Sequence, residues 1–74
     1  AAADAWLRAF NGATKPKERA AIAYNLALAN EVLGSYDNAK KWIVTSYTEG
    51  GDKRALQYSR IIDGLIADHQ RLQQ

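Results

Sequence analysis

The sequence predicts an all-α fold, an antiparallel array of about four helices. Apolar residues recur at spacings of three and four along most of the chain, which is the period of one face of a helix. No segment alternates apolar and polar residues in the way that a half-buried strand does. Glycine-containing breaks divide the pattern into segments with short connections, and such connections favour antiparallel packing of neighbouring helices.

Size and composition indicate one small domain, residues 1–74, with no strong charge signature. The net charge is only +2, and the basic residues are scattered among acids, so we expect no nucleic-acid partner. The chain has no cysteine and no long uncharged apolar run, so we expect neither a thiolate metal site nor a membrane span. It begins with Ala and contains no Met, and we therefore expect a fragment of a longer protein.

The first two helices are predicted on either side of Asn11-Gly12. The first covers about residues 3–10 and stops there, because Asn and Gly tolerate the left-handed conformation that ends helices. The second covers about residues 16–33, with Thr14 as its N-cap and Pro16 in its first turn. Its predicted inner row follows the helical spacing: Ala23, Leu26, Asn30 and Leu33.

The third helix is predicted over about residues 36–48, after a chain reversal at Gly34. Ser35 or Asp37 is the expected N-cap. Ala27 and Ala39 are small enough to let the second and third helices approach closely. The inner row of the third helix, with Trp42 beside it, comprises Tyr36, Ala39, Ile43 and Ser46 or Tyr47.

A fourth helix is predicted over residues 52–73, with Asp52 as its N-cap after the stop at Gly50-Gly51. Its apolar row allows two roles. It can pack onto the preceding hairpin as a C-terminal capping helix, or it can form a short coiled-coil seam that holds two copies as a weak homodimer. The row comprises Ala55, Tyr58, Ile62, Leu65, His69 and Leu72.

Residues 20–48 carry a recognisable series of residue types. Tyr24 lies early in the second helix and is followed by Asn25-Leu26-Ala27; the turn is Gly34-Ser35-Tyr36, and Ala39 comes three residues later. This series resembles a tetratricopeptide helix-turn-helix unit, in which Asn-Leu-Gly is expected and Ala27 stands in place of the Gly. The chain departs from the family at Asn30, which replaces a central aromatic residue, and it contains no complete second unit.

A narrower resemblance covers the residues from Trp6 to Gly34, including the runs Lys17-Glu18-Arg19-Ala20-Ala21 and Ala23 to Leu33. They look like the C-terminal part of a family of Bacteroides-type cell-envelope lipoproteins with a tetratricopeptide-like tail. This resemblance implies a lipidated parent protein in the periplasm or at the cell surface.

The tetratricopeptide resemblance also implies a binding surface, because the first helix of each unit lines a concave groove in that family. The positions carried over to this chain are Ala21, Tyr24, Asn25, Leu28, Glu31 and Val32. Asn25 offers both a donor and an acceptor to an extended peptide backbone, and Leu28 and Val32 offer apolar contacts. The alternative is that Leu28 and Val32 pack against the first or fourth helix while Asn25 bonds within the turn.

No group of residues in the sequence has the spacing of a catalytic, cofactor or metal site. His69 is the single histidine and has no second ligand nearby at metal-binding spacing. We therefore expect no enzyme activity, no cofactor and no metal. The sequence favours a non-enzymatic module that binds a protein or peptide; the alternative is a structural C-terminal cap or dimerisation element of a larger envelope lipoprotein.

Overall fold

A computed structural model describes residues 2–72 and confirms the all-α fold. Its four helices follow one another with short connections, and no strand occurs in those residues. The predicted end of the fourth helix at residue 73 lies outside the described residues. The helices are α1 (Ala2–Gly12), α2 (Pro16–Val32), α3 (Tyr36–Gly50) and α4 (Lys53–Leu72).

Polar contacts define the antiparallel order of α2, α3 and α4. Arg19 near the start of α2 forms an ion pair of 2.9 Å with Glu49 at the end of α3. Lys40 near the start of α3 contacts Asp63 in the second half of α4, at 2.7 Å. Helices α2 and α4 therefore run in the same direction on either side of α3, and α1 packs on the other side of α2.

The turn between α2 and α3 confirms the predicted role of Gly34. Its φ of 78° lies in the left-handed region that favours glycine. The Gly34 N–H donates to the carbonyl of Glu31 at 2.9 Å, and the Ser35 N–H donates to that of Asn30 at 2.8 Å. These two bonds satisfy carbonyls that the end of a helix leaves without partners.

The predicted N-caps differ in outcome. Asp52 caps α4, because its carboxylate accepts a hydrogen bond of 2.8 Å from the Arg54 N–H. Ser35 stands at the N-cap position of α3 without a capping side-chain bond. Thr14 as the cap of α2 is wrong. Pro16 is the first residue of the helix, so Lys15 occupies the cap position and Thr14 lies one residue outside it.

Two groups of buried side chains form the core, and Trp42 packs against both. The first group joins α1 to α2: Phe10, Ala13, Ile22, Ala23 and Leu26. The second joins α2, α3 and α4: Ala27, Ala39, Ile43, Ala55 and Ile62. Because Ala27 and Ala39 are fully buried, the prediction of a close α2–α3 approach is confirmed.

Arg19 anchors the end of α1 onto the α2–α3 pair. Its guanidinium donates to the carbonyls of Phe10 at 3.2 Å and Ala13 at 3.0 Å, while also binding Glu49. The guanidinium carbon lies 4.0 Å from the centre of the Phe10 ring, within the range of a cation–π contact. One side chain therefore connects three helices.

At two helix ends, the predicted apolar rows extend beyond the residues that are buried. Leu33 is 70% exposed, because α2 ends at Val32 and the chain turns away. Leu72 is 84% exposed, and His69 also lies on the surface. Helix α4 has 20 residues against 15 in α3, and its contact of His69 with Tyr36 marks the level at which α3 begins. Beyond that level α4 has no α3 residues to pack on.

Candidate protein-interaction site

Helices α2 and α4 meet through a pair of tyrosines on one face of the array. The rings of Tyr24 and Tyr58 lie 5.6 Å apart between centroids and are tilted by 49°. Both side chains are half-buried and pack against the second core group. The pair therefore links α2 to α4 at this level, although both helices pack mainly on α3.

Aliphatic side chains continue this face beyond the tyrosine pair. Leu28 lies one turn after Tyr24, and Ile61 lies one turn after Tyr58, so both occupy the sides of their helices that carry the tyrosines. Leu28 is 37% exposed and Ile61 58% exposed. Val32 and Leu65 lie one further turn along α2 and α4. We call the surface formed by Tyr24, Leu28, Val32, Tyr58, Ile61 and Leu65 the α2–α4 face.

A polar cleft of about 650 Å³ opens on the other side of the tyrosine pair. Its walls combine small residues, charged side chains and the ring of Tyr24. The lining residues are Lys17, Ala20, Ala21, Tyr24, Asn25, Ser46, Gly50, Asp52 and Arg54. Because alanine and glycine supply no long side chains to fill it, this cleft stays open between α2 and the start of α4.

Close packing of α2 on α3 builds the inner wall of the polar cleft. The Ser46 hydroxyl donates a hydrogen bond of 2.7 Å to the carbonyl of Ala20 in the buried interior. A Cβ atom added at Gly50 would lie only 2.6 Å from the Cβ of Ala20. The wall thus depends on a serine, an alanine and a glycine at three positions where the two helices touch.

Two opposite charges at the cleft are already paired with each other. Arg54 donates from Nη2 to the Asp52 carboxylate at 2.9 Å. The side-chain hydrogen bond from Arg54 is the main cause that lowers the pKa of Asp52, followed by the bond from the Arg54 backbone N–H. The same pairing raises the pKa of Arg54. Both groups are therefore charged at neutral pH.

Lys17 and Asn25 differ from this pair because neither side chain has a hydrogen bond or an ion pair within the described residues. Lys17 is exposed and Asn25 is half-buried. The cleft consequently presents one uncompensated positive charge and one amide with free donors and a free acceptor.

The structure places the six predicted groove residues on one side of α2 but in two environments. Ala21, Tyr24 and Asn25 line the polar cleft. Leu28 and Val32 lie on the α2–α4 face, and Val32 is 87% exposed. Glu31 is half-buried beside them. Of the three large apolar groove residues, Tyr24 packs against α4, while Leu28 and Val32 remain on the surface.

Sequence reasoning missed the contribution of α4 to this site. Tyr58 and Leu65 were assigned only to the apolar row of the fourth helix, and Arg54 was assigned no role. A signal existed, since Arg54, Tyr58, Ile61 and Leu65 follow one another at spacings of three and four. Nothing in the sequence, however, indicated that Tyr58 lies level with Tyr24.

A second, smaller cleft of about 380 Å³ lies at the opposite end of the array, around the α2–α3 turn. Tyr36 and His69 line it, and their rings meet edge to face at 5.9 Å between centroids.

In the part of the chain from residue 2 to residue 72, no three His, Asp or Glu side chains lie together as potential metal ligands. None of the helices described there is long and apolar enough to cross a membrane.

Comparison with protein families gives a match over most of the chain. Residues 1–64 match the model of the family described as "Domain of unknown function (DUF6340)". The matched segment includes α1, α2, α3 and the part of α4 that carries Arg54, Tyr58 and Ile61. No curated protein and no solved structure matches this sequence.

Proposed function

The chain belongs to the DUF6340 family, and on that premise we propose that it is a non-enzymatic, tetratricopeptide-like module that binds a protein or peptide segment. Its binding surface comprises the α2–α4 face and the adjoining polar cleft. The tetratricopeptide character rests on the residue types of residues 20–48, which include Asn25, Gly34 and Ala39.

The observation that carries this proposal is the exposure of apolar side chains along the α2–α4 face. Leu28, Val32 and Ile61 leave much of their surface in water, although Tyr24 and Tyr58 on the same face are half-buried. Burial of apolar surface contributes about 25 cal/mol per Å². A partner that covers these side chains therefore gains free energy without any rearrangement of the four helices.

A display selection of short randomised peptides on the whole chain tests the proposal. We expect enriched peptides to bind the wild type and to lose binding to Leu28→Asp, because the carboxylate places a charge in the middle of the apolar surface. Val44→Asp is the matched control. Val44 is 44% exposed on α3, so this variant carries the same new charge away from the α2–α4 face. Failure to enrich any peptide, or equal losses in both variants, would contradict the proposal.

A second candidate is a structural role, as a C-terminal helical cap or dimerisation element of a larger protein. Exposed apolar side chains on α4 favour the dimerisation form of this role, since Ile61 and Leu72 lie on the surface with the half-buried Leu65 between them. Sedimentation tests this form. A dimer of the wild type that Ile61→Asp converts to monomers would support it, and a monomeric wild type would exclude self-association through these side chains.

The location of the parent protein is also a proposal. The resemblance of residues from Trp6 to Gly34 to envelope lipoproteins supports a position in the periplasm or at the cell surface. Fractionation of cells that produce the full-length protein checks it, and recovery in the cytoplasmic fraction would contradict it.

A further inference from the structure

The two halves of the proposed binding surface differ in chemistry, and the difference constrains the partner. One half is mainly aliphatic and carries Leu28, Ile61 and Val32 in exposed positions, with the half-buried Glu31 as its acidic residue on α2. The other half is the polar cleft, with Lys17 and Arg54 among its lining residues. The tyrosine pair separates the two halves. A partner segment that lies along the whole surface therefore contacts positive charge with one part and aliphatic side chains with another.

The charge of the polar cleft is positive after its internal pairing is taken into account. Among the described residues that line the cleft, Asp52 is the only acidic one, and it is engaged by the side chain and the backbone N–H of Arg54. Lys17 then remains as an exposed cation without a partner in the described residues. Asn25 and Tyr24 add neutral polar groups beside it.

We infer that the partner segment carries an acidic side chain that enters the polar cleft, and aliphatic side chains that cover Leu28 and Ile61. This inference rests on the proposed function and adds the chemical class of its ligand. The acidic group lies against Lys17, and Asn25 contacts the peptide backbone next to it. The ring of Tyr24 separates the acidic position from the aliphatic positions.

The dimensions of α2 set the spacing of the two features in the partner. Lys17 and Leu28 are eleven residues apart on this helix, and a helix rises about 1.5 Å per residue, so they are separated by about 16 Å along the axis. An extended peptide covers that distance in about five residues. The acidic residue of an extended partner therefore precedes or follows the aliphatic residue by about five positions.

Peptides from the selection described above provide two tests of this inference. The first is the sequence that the enriched peptides share, and the second is their affinity for a variant in which the charge at Lys17 is reversed. We expect an enriched acidic residue about five positions from an aliphatic residue. We expect Lys17→Glu to weaken the best peptide by roughly tenfold, since an attraction becomes a repulsion. Replacement of the acidic residue of the peptide by Lys should restore affinity for that variant.

Lys53→Glu is the matched control. It changes the charge by the same amount at the same end of the molecule, but Lys53 does not line the cleft. Both lysines occupy the first turn of a helix, where glutamate is tolerated, so both variants should fold. Equal effects of the two substitutions, or none for Lys17→Glu, would overturn the inference.

The outcomes separate this inference from the proposed function. Peptides that lose binding to Leu28→Asp but carry no acidic residue, and that bind Lys17→Glu normally, would overturn the acidic ligand and leave the binding surface intact. Absence of any enriched peptide would remove both. If the wild type is a dimer and Ile61→Asp dissociates it into monomers, the α2–α4 face binds a second copy of the chain, and the inference is overturned.

Discussion

Gly50 illustrates how a single small residue shapes the site. A methyl group at this position would lie 2.6 Å from the Cβ of Ala20, and neither atom can rotate away because each is bonded directly to a helix backbone. Helices α2 and α3 would have to separate. The buried hydrogen bond from Ser46 to the Ala20 carbonyl lies in the same contact and would lengthen.

We predict that Gly50→Ala lowers the free energy of unfolding by about 1–3 kcal/mol through overpacking, partly offset by about 1 kcal/mol of better helix propensity. Gly64→Ala is the control, since its new Cβ meets nothing within 4 Å and α4 is helical there. That substitution should stabilise the chain by about 0.5–1 kcal/mol. Denaturant unfolding measures both. An equal gain in stability from the two substitutions would contradict the close approach.

Residue-level features were predictable from the sequence where the cause is local. The left-handed φ of Gly34 and the cap at Asp52 follow from residue type and neighbouring positions. Gly50 was read only as a helix stop, because its contact with Ala20 depends on the distance between two helices. The bonds from Arg19 to Glu49 were unpredicted for the same reason, since the two residues are 30 positions apart.

At the level of the helices, the start of α4 combines a cap with an ion pair. Asp52 accepts hydrogen bonds from the backbone and the side chain of Arg54, and its pKa is lowered as a result. A carboxyl whose pKa is lower in the folded than in the unfolded chain binds protons more weakly when folded. Its contribution to stability is complete above the unfolded pKa, about 3.9, and is lost as the pH falls through the folded value.

We compare the thermal midpoint of the wild type with that of Asp52→Asn. We predict that the difference, wild type minus variant, decreases as the pH is lowered from about 5 to about 2. Asparagine keeps an oxygen that can cap the helix but does not titrate, so the difference between the two proteins isolates this carboxylate. Circular dichroism at a series of pH values measures it. A difference that stays constant, or grows as the pH falls, would contradict the assigned role of Asp52.

Helix boundaries were predictable to within about two residues. The apolar rows, by contrast, were extended too far at two helix ends, and both errors have the same origin. The inner rows of α2 and α4 were extended to Leu33 and Leu72, and both residues are exposed. Periodicity identifies the side of a helix that is apolar, but it does not reveal where the neighbouring helix ends. The length of the partner helix decides which apolar residues near a helix end stay on the surface.

In the whole molecule, the site lies between helices that are not neighbours in the sequence. The order of α1 to α4 and their antiparallel packing follow from short connections, and both were predicted. The level of α4 relative to α2 was not, because it is fixed by the contact of Tyr24 with Tyr58 and by the core around Ile43 and Ile62. The face and the cleft therefore became visible only in three dimensions.

One measurement tests the central claim, that a partner occupies the α2–α4 face, most directly. A peptide from the selection is titrated into the isotope-labelled chain, and backbone amide shifts are recorded by nuclear magnetic resonance. We predict that the shifts concentrate at Asn25, Leu28 and Ile61 and leave the outer side of α3 around Val44 unchanged. Shifts confined to α1 or to the Val44 side, with none at Leu28 or Ile61, would contradict the account.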